Sequence, residues 1–187
     1  MMKKALILIF ALAVFFTGFI FAEETFTLEE PAFITSAGQS PGALQMTVVS
    51  KMAKLDYVFE KLMTAEDFDP EAYECVIFVI GASGKGLGAA GIDIDGELAR
   101  VVALAQKAKD NEIPVVLTHL EGAARRGPSS DMLFDELSSY ADALFIKEES
   151  DAADQKFSTF AEENEIPIFF FEKTADLKDV IVEVFEL

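Results

Sequence analysis

Glycines surround a lone lysine in the segment Gly81-Ala-Ser-Gly-Lys-Gly-Leu-Gly88, which directly follows a run of apolar residues. Glycines let a backbone approach a ligand closely and expose consecutive N–H groups, which form a nest for an anion. Lys85 would add a positive charge there, and Ser83 a hydroxyl donor. The segment therefore predicts an anion site that comprises Ser83, Gly84, Lys85 and Gly86, unless the glycines only turn the chain.

This glycine-rich segment fits neither common nucleotide motif. It is not a Walker loop, because Gly86 rather than Ser or Thr follows the lysine. The spacing from Gly86 to Gly91 matches a dinucleotide fingerprint, but five residues separate it from the preceding strand. A fingerprint should follow its strand at once and open a helix. We therefore expect residues 81–91 to form a loop and the protein to bind no nicotinamide cofactor.

A second segment, Thr35-Ser-Ala-Gly-Gln-Ser40, resembles the phosphate loop of flavodoxins in its hydroxyls on both sides of a glycine. The chain has no Trp and three Tyr, none of them in the loops that would sandwich an isoalloxazine, so we expect no flavin. A smaller anion at the following helix N-terminus would be held by Ser36, Gly38, Gln39 and Ser40. The alternative is ordinary helix capping by Ser40, with Pro41 at the first helical position.

Paired arginines, Arg125 and Arg126, lie in a third segment, Glu121-Gly-Ala-Ala-Arg-Arg-Gly-Pro128. Guanidinium groups bind carboxylates and phosphates through two parallel hydrogen bonds. The alternative is that the arginines pair with nearby acids such as Glu121 or Asp131. His119, the only histidine, precedes them and could act as a general base, although no nucleophile for it is evident.

Metal and thiol chemistry are not expected from this chain. Asp93, Asp95 and Glu97 could bind a divalent ion, but capping of the next helix explains Asp95, so no metal is predicted. Cys75 is the only cysteine and opens a strand-like run, which is typical of a small buried hydrophobe. No cofactor of any kind is expected.

Strand and helix patterns alternate along the chain. The run Val76-Ile-Phe-Val-Ile80 is apolar throughout, as in a strand covered on both faces, whereas Leu44, Val48 and Met52 recur at helical spacing. Such alternation predicts a doubly wound, mostly parallel sheet of flavodoxin-like order with helices on both faces. We assign residues 31–187 to this single α/β domain, preceded by an acidic tether at residues 23–30.

The charge of the chain contrasts with the charge of these segments. The chain has 33 acidic and 15 basic residues, a net charge of −18 that excludes nucleic acids and anionic lipid surfaces as partners. In open parallel sheets, ligands bind at the carboxyl ends of the strands, where all three segments should meet. Cations kept at that edge of an acidic protein favour a small anionic ligand.

The N-terminus is typical of a secretory signal peptide. Two lysines precede an uncharged stretch at residues 5–21, and Ala22 comes just before two acids. We predict cleavage after Ala22 and a periplasmic or secreted protein; an uncleaved segment would instead anchor the chain to the membrane. The single cysteine cannot form an internal disulfide, and export without disulfides fits a bacterial periplasm.

The three motifs together resemble a group of exported bacterial proteins that is known as a domain of unknown function. The resemblance rests on Ile34-Thr-Ser-Ala-Gly-Gln-Ser40, on Ser83-Gly-Lys-Gly-Leu-Gly-Ala-Ala-Gly-Ile-Asp93 and on Gly122-Ala-Ala-Arg-Arg-Gly127. It implies an exported single domain, and it implies no activity, substrate or catalytic residue.

The sequence is compatible with three functions. The first is a module that binds a small anionic or polyhydroxylated solute and serves a transporter or a sensor. The second is an exported hydrolase or transferase acting on a phosphoryl or acyl group, with Ser36, Ser40 or Ser83 as nucleophile and His119 as base. The third is a structural protein that docks to an envelope complex through exposed apolar patches.

Overall fold

Six strands lie in one parallel sheet. In the computed structural model, which describes residues 26–187, they are β1 (Ala32–Ala37), β2 (Tyr57–Phe59), β3 (Cys75–Ile80), β4 (Val115–His119), β5 (Ala143–Lys147) and β6 (Ile168–Phe171). Their order across the sheet is β2-β1-β3-β4-β5-β6, and every neighbouring pair is parallel. The predicted doubly wound sheet of flavodoxin-like order is confirmed. The predicted signal peptide, residues 1–22, lies outside the described residues.

Helices cover both faces of the sheet. They are α1 (Gly42–Ala53), α2 (Gly84–Ala90), α3 (Ile94–Asp110), α4 (Pro128–Ser138), α5 (Glu148–Asp151), α6 (Lys156–Asn164) and α7 (Leu177–Val184). Buried side chains of α1 and α7 pack on one face, and those of α3, α4 and α6 pack on the other. Within residues 26–187, no helix combines the length and the apolar character that crossing a bilayer requires.

Strand β3 shows why apolar runs form the centre of the sheet. All six of its residues are buried. Ile77 and Val79 enter the core beneath α1 and α7, whereas Phe78 and Ile80 enter the core beneath α3 and α4, because successive side chains point to opposite faces. Burial, aided by nearby carboxylates, raises the pKa of the Cys75 thiol to about 12, so this side chain stays neutral and packs as an apolar group.

The chain reverses its direction of winding between β1 and β3. From β1 it crosses to β2 at one edge of the sheet, and it then returns to place β3 on the other side of β1. Loops that leave the carboxyl ends of these two strands therefore diverge and open a crevice. Residues 38–41 follow β1 and residues 81–83 follow β3, so they form its two sides.

The glycine-rich segment is mostly a helix, whereas a loop was predicted. Ser83 Oγ accepts the Gly86 N–H at 3.2 Å, which caps α2, and Gly91 ends the helix with a φ of +72°. The next helix is capped by Asp93 rather than by Asp95, through a hydrogen bond of 2.8 Å from a backbone N–H. A side-chain cap at the start and a left-handed glycine at the end thus outweigh the low helix propensity of glycine.

The loops after β1 and β3 touch backbone to backbone. The Ser40 N–H donates to the Gly81 carbonyl at 3.1 Å. Gly38 has a φ of +113°, and a Cβ there would lie 2.5 Å from the same Gly81 oxygen. A Cβ on Gly86 would overlap the Gln39 carbonyl oxygen. Glycine is therefore required at both positions for the two loops to meet.

Alanine substitutions at two glycines of α2 test this contact. Gly86→Ala should lower the free energy of unfolding by about 2 kcal/mol or more, because the new Cβ must displace backbone rather than a side chain. Gly88→Ala should leave it unchanged or raise it by up to about 1 kcal/mol, because open space surrounds its Cβ. Urea unfolding followed by circular dichroism measures both values, and equal effects would contradict the close approach of the loops.

Candidate functional site

A cleft of 620 Å³ opens at the carboxyl ends of β1, β2 and β3, at the reversal of strand order. Its walls come from the loop after β1, the first turn of α1, the end of β2, the start of α2 and the loop after β4. The lining residues are Gln39, Ser40, Pro41, Ala43, Leu44, Phe59, Lys61, Ser83, Gly84, Lys85, Gly86 and Arg125. Seven of these were predicted from the sequence as ligand-binding residues: Gln39, Ser40, Ser83, Gly84, Lys85, Gly86 and Arg125.

The loop after β1 forms the floor of the cleft. Ser36 is buried, and its Oγ accepts the Gln39 N–H at 2.9 Å. Gln39 adopts a left-handed conformation with a φ of +61°, an arrangement that costs energy for a residue with a Cβ. Its side-chain amide donates to Glu97 Oε1 at 2.9 Å. Ser36 and Gly38 thus shape the floor from below, although neither lines the cleft.

A buried ion pair on α3 holds this floor in place. Glu97 has no exposed surface, and both of its oxygens accept hydrogen bonds from Arg100 at 2.9 Å. Glu97 also accepts the Gly38 N–H at 2.8 Å, while Arg100 donates to the carbonyls of Ser36 and Met63. The pair therefore joins α3 to the loops that follow β1 and β2. The sequence had suggested Glu97 only as a metal ligand, and residues 26–187 hold no metal-binding group of three or more His, Cys, Asp or Glu.

Removing one partner of the pair should strongly destabilise the domain. Glu97→Ala should lower the free energy of unfolding by about 3–5 kcal/mol, because it leaves a nearly buried guanidinium without its counter-charge. Asp95→Ala removes an exposed carboxylate from the same helical turn and should cost less than about 1 kcal/mol. Denaturant unfolding gives both values. A small effect of Glu97→Ala would show that the floor does not depend on the pair.

Within residues 26–187, three cations face the cleft and no acidic residue lines it. Lys61 and Lys85 make no ion pair within the described part of the chain. Arg125 Nε lies 3.2 Å from Glu121 Oε1, and another of its nitrogens donates to the Ala82 carbonyl at 3.3 Å. Lys61 was missed because it follows the short edge strand β2, whose loop was not counted among those at the ligand-binding edge.

Hydroxyls and unpaired acceptors supplement these charges. Ser40 Oγ accepts the Gly42 N–H at 3.2 Å, so this side chain both caps the start of α1 and borders the cleft. Gln39 Oε1 and Glu121 Oε2 are buried acceptors that have no hydrogen-bond partner among residues 26–187. Unsatisfied buried acceptors are costly, so a bound hydroxyl or water that donates to them would stabilise the site.

His119 lies outside the cleft lining, at the end of β4. Its ring is fully buried, and Nδ1 lies 2.8 Å from Ser150 Oγ, while Nε2 has no hydrogen-bond partner among the residues that the structure describes. Burial, together with the charge of Arg126, lowers the pKa of His119 to about 4. No carboxylate hydrogen bonds to the ring among the described residues, and Ser150 is buried as well. This serine–histidine pair is therefore neutral and closed to solvent at pH 7.

The free energy of unfolding should decrease as the pH is lowered, because His119 is harder to protonate in the folded chain than in the unfolded one. The unfolded chain takes up a proton near pH 6.5 and the folded one near pH 4, so this contribution is complete above pH 6.5 and is lost as the pH falls to 4. It amounts to roughly 3 kcal/mol. His119→Asn should be less stable than the wild type at pH 7, by a margin that shrinks towards pH 4. A margin independent of pH would contradict the lowered pKa.

Arg126 also points away from the cleft. Its guanidinium lies 2.7 Å from Asp131 and 2.8 Å from Asp154, and it stacks over Phe157 at 4.9 Å from the ring centre. It also donates to the Ser150 carbonyl. The two neighbouring arginines thus have different surroundings: Arg125 borders the cleft, whereas Arg126 joins α4 to α5 and α6.

A family model described as Domain of unknown function (DUF6305) matches residues 29–185. The match covers most of the chain and confirms the resemblance that the three sequence motifs indicated. No curated protein matches the chain in sequence.

Solved structures similar to the chain include a GDSL-like lipase from Bacteroides thetaiotaomicron VPI-5482. It is 15% identical over 74% of this chain and 66% of the lipase, with a TM-score of 0.36. The esterase EstA from Pseudoalteromonas sp. is 12% identical over 76% of this chain and 78% of that chain, with a TM-score of 0.29. The SGNH-hydrolase family esterase AlinE4 is 15% identical over 83% and 85%, also at 0.29. The chain spans just under two thirds of the lipase, and at such TM-scores the likeness carries no argument about activity.

Proposed function

This chain belongs to the family described as Domain of unknown function (DUF6305), and we propose that it is a module that binds a small anionic or polyhydroxylated solute. The observation that carries the proposal is the charge of the cleft. Among the described residues, three cations and no acid line it, on a chain with 33 acidic residues. Lys61 and Lys85 have no counter-charge of their own among the described residues, so an anion would supply one.

The position and the size of the cleft support the same function. It lies where doubly wound sheets bind their ligands, and 620 Å³ falls within the range of small-molecule sites. Ser40 and Ser83 add hydroxyl groups next to the cations, and Gln39 adds a buried acceptor without a partner. Donors and a few acceptors around one cleft suit a solute that carries a negative charge or several hydroxyls.

Binding is favoured over hydrolysis because neither serine of the cleft has an activating base. Ser40 Oγ accepts the Gly42 N–H, and Ser83 Oγ accepts the Gly86 N–H. Neither hydroxyl hydrogen bonds to a histidine or a carboxylate within residues 26–187, and an unactivated serine is a weak nucleophile. His119, the base that the hydrolase hypothesis needs, is paired with Ser150 in the interior.

We further propose that the protein works outside the cytoplasm, in the periplasm or as a secreted protein, and serves a transporter or a sensor. Support comes from the basic start, the uncharged stretch at residues 5–21 and the acids that follow Ala22. A module of this kind needs no cofactor, since capture of a solute involves no bond making.

Ligand-induced stabilisation tests the proposed function. Inorganic phosphate, organic acids, sugars and amino acids are screened with the purified protein by thermal unfolding. A solute at about a hundred times its Kd should add about 2.7 kcal/mol, which raises the Tm of a domain this size by about 5–10 °C.

Two lysine variants make the screen specific. Lys85→Ala should weaken binding of the active solute about tenfold or more, because it removes a charge-assisted contact. Lys173→Ala is the control, since this exposed lysine follows β6, three strands away from β3, and makes no ion pair in the described part of the chain. Its effect should stay within about twofold. The proposal is wrong if no solute raises the Tm, or if both variants weaken binding equally.

A further inference from the structure

The lining of the cleft combines apolar and cationic side chains. Pro41, Leu44 and Phe59 present apolar surface from the start of α1 and the end of β2. Lys85 and Arg125 line the same cleft from the start of α2 and from the loop after β4. Leu44 leaves 60% of its surface exposed. Covering this exposed leucine with an apolar group of a ligand would remove apolar surface from water, which lowers the free energy of the complex.

The volume of the cleft excludes a bare inorganic anion as the ligand that fills it. A water molecule in the liquid occupies about 30 Å³, so a phosphate or acetate would leave most of the 620 Å³ vacant. A ligand that fills the cleft therefore has a body as well as a charged group. Because the remaining lining is largely Leu, Pro, Phe and Ala, that body is apolar rather than hydroxylated.

We propose that the ligand is an amphipathic anion, an organic acid whose apolar body lies against Leu44, Pro41 and Phe59. This inference rests on the proposed function and narrows it to one ligand class. The anionic group lies at Lys85 and Arg125, where Ser40 and Ser83 supply further hydrogen bonds. The apolar body covers the exposed leucine. The charge of the anionic group is neutralised by Lys85, which makes no ion pair in the described part of the chain, and by Arg125, which is also paired with Glu121.

The exposed surface of α1 supplies a matched control for this inference. Leu44 and Val48 lie four residues apart on the outward face of the helix and are 60% and 58% exposed. Leu44 lines the cleft, whereas Val48 does not. Replacement of either by serine removes a similar apolar group from the surface, but only Leu44→Ser alters the proposed contact.

Isothermal titration with acetate, hexanoate and decanoate measures the contribution of the apolar body, at concentrations below micelle formation. Affinity should increase with chain length, by up to about fourfold for each methylene group that is buried. Decanol, which has the same chain without the charge, should bind at least tenfold more weakly than decanoate. Leu44→Ser should weaken decanoate binding about tenfold and leave acetate unchanged, and Val48→Ser should change neither by more than twofold.

The outcomes separate this inference from the proposed function. If acetate or phosphate binds through Lys85 and a longer chain adds nothing, the amphipathic ligand is wrong and the anion-binding function stands. If no anion binds at all, the amphipathic ligand is wrong, and the proposed function falls with it unless a polyhydroxylated solute raises the Tm in the thermal screen. Decanol binding as tightly as decanoate, or equal losses in Leu44→Ser and Val48→Ser, would indicate adsorption to the surface of α1 and would overturn the inference.

Discussion

The buried pair of Glu97 and Arg100 is the interaction on which the cleft depends. Removing two charges from water is costly, and the pair is tolerated because every strong donor and acceptor in it has a partner. Hydrophobic residues of the same volume could stabilise α3 equally well, but they could not accept the Gly38 N–H or donate to the Ser36 carbonyl. The pair therefore specifies one conformation of the loop after β1, including the left-handed backbone at Gln39.

The rigid floor and the charge of the cleft together explain how a protein of net charge −18 could bind an anion. At physiological ionic strength charges are screened over about 8 Å, so distant carboxylates act weakly on a solute in the cleft. Lys61, Lys85 and Arg125 would act on it directly, and no acid shares the lining with them. Glu121 and Glu97 lie near it, but Glu121 is paired with Arg125 and Glu97 with Arg100. The local charge, rather than the net charge, thus decides which ligands the site admits.

The sequence predicted the fold well because the information is local. Wholly apolar strands such as β3, separated by turns and helices, allow few arrangements other than a doubly wound sheet. It also predicted most polar residues of the cleft, since these directly follow strands. The surroundings of Glu97 and His119 were not predictable, because they depend on contacts between distant elements. The ion pair of Arg126 with Asp131 was one of the alternatives that the sequence left open, but the second ion pair of Arg126 was not predicted. Arg126 meets Asp154 from a segment 28 residues further along, and neither spacing nor composition indicates that contact.

The rigidity of the floor and the freedom of the cationic side chains have opposite effects on affinity. The backbone contacts between the loops after β1 and β3 mean that binding orders little main chain. Lys61 and Lys85, by contrast, make no ion pair with any residue of 26–187, and ordering each would cost about 0.5–1.5 kcal/mol. A preformed floor with long, unpaired cations above it favours moderate affinity and rapid exchange. Those are the properties that a module needs if it passes its solute on to a transporter or a sensor.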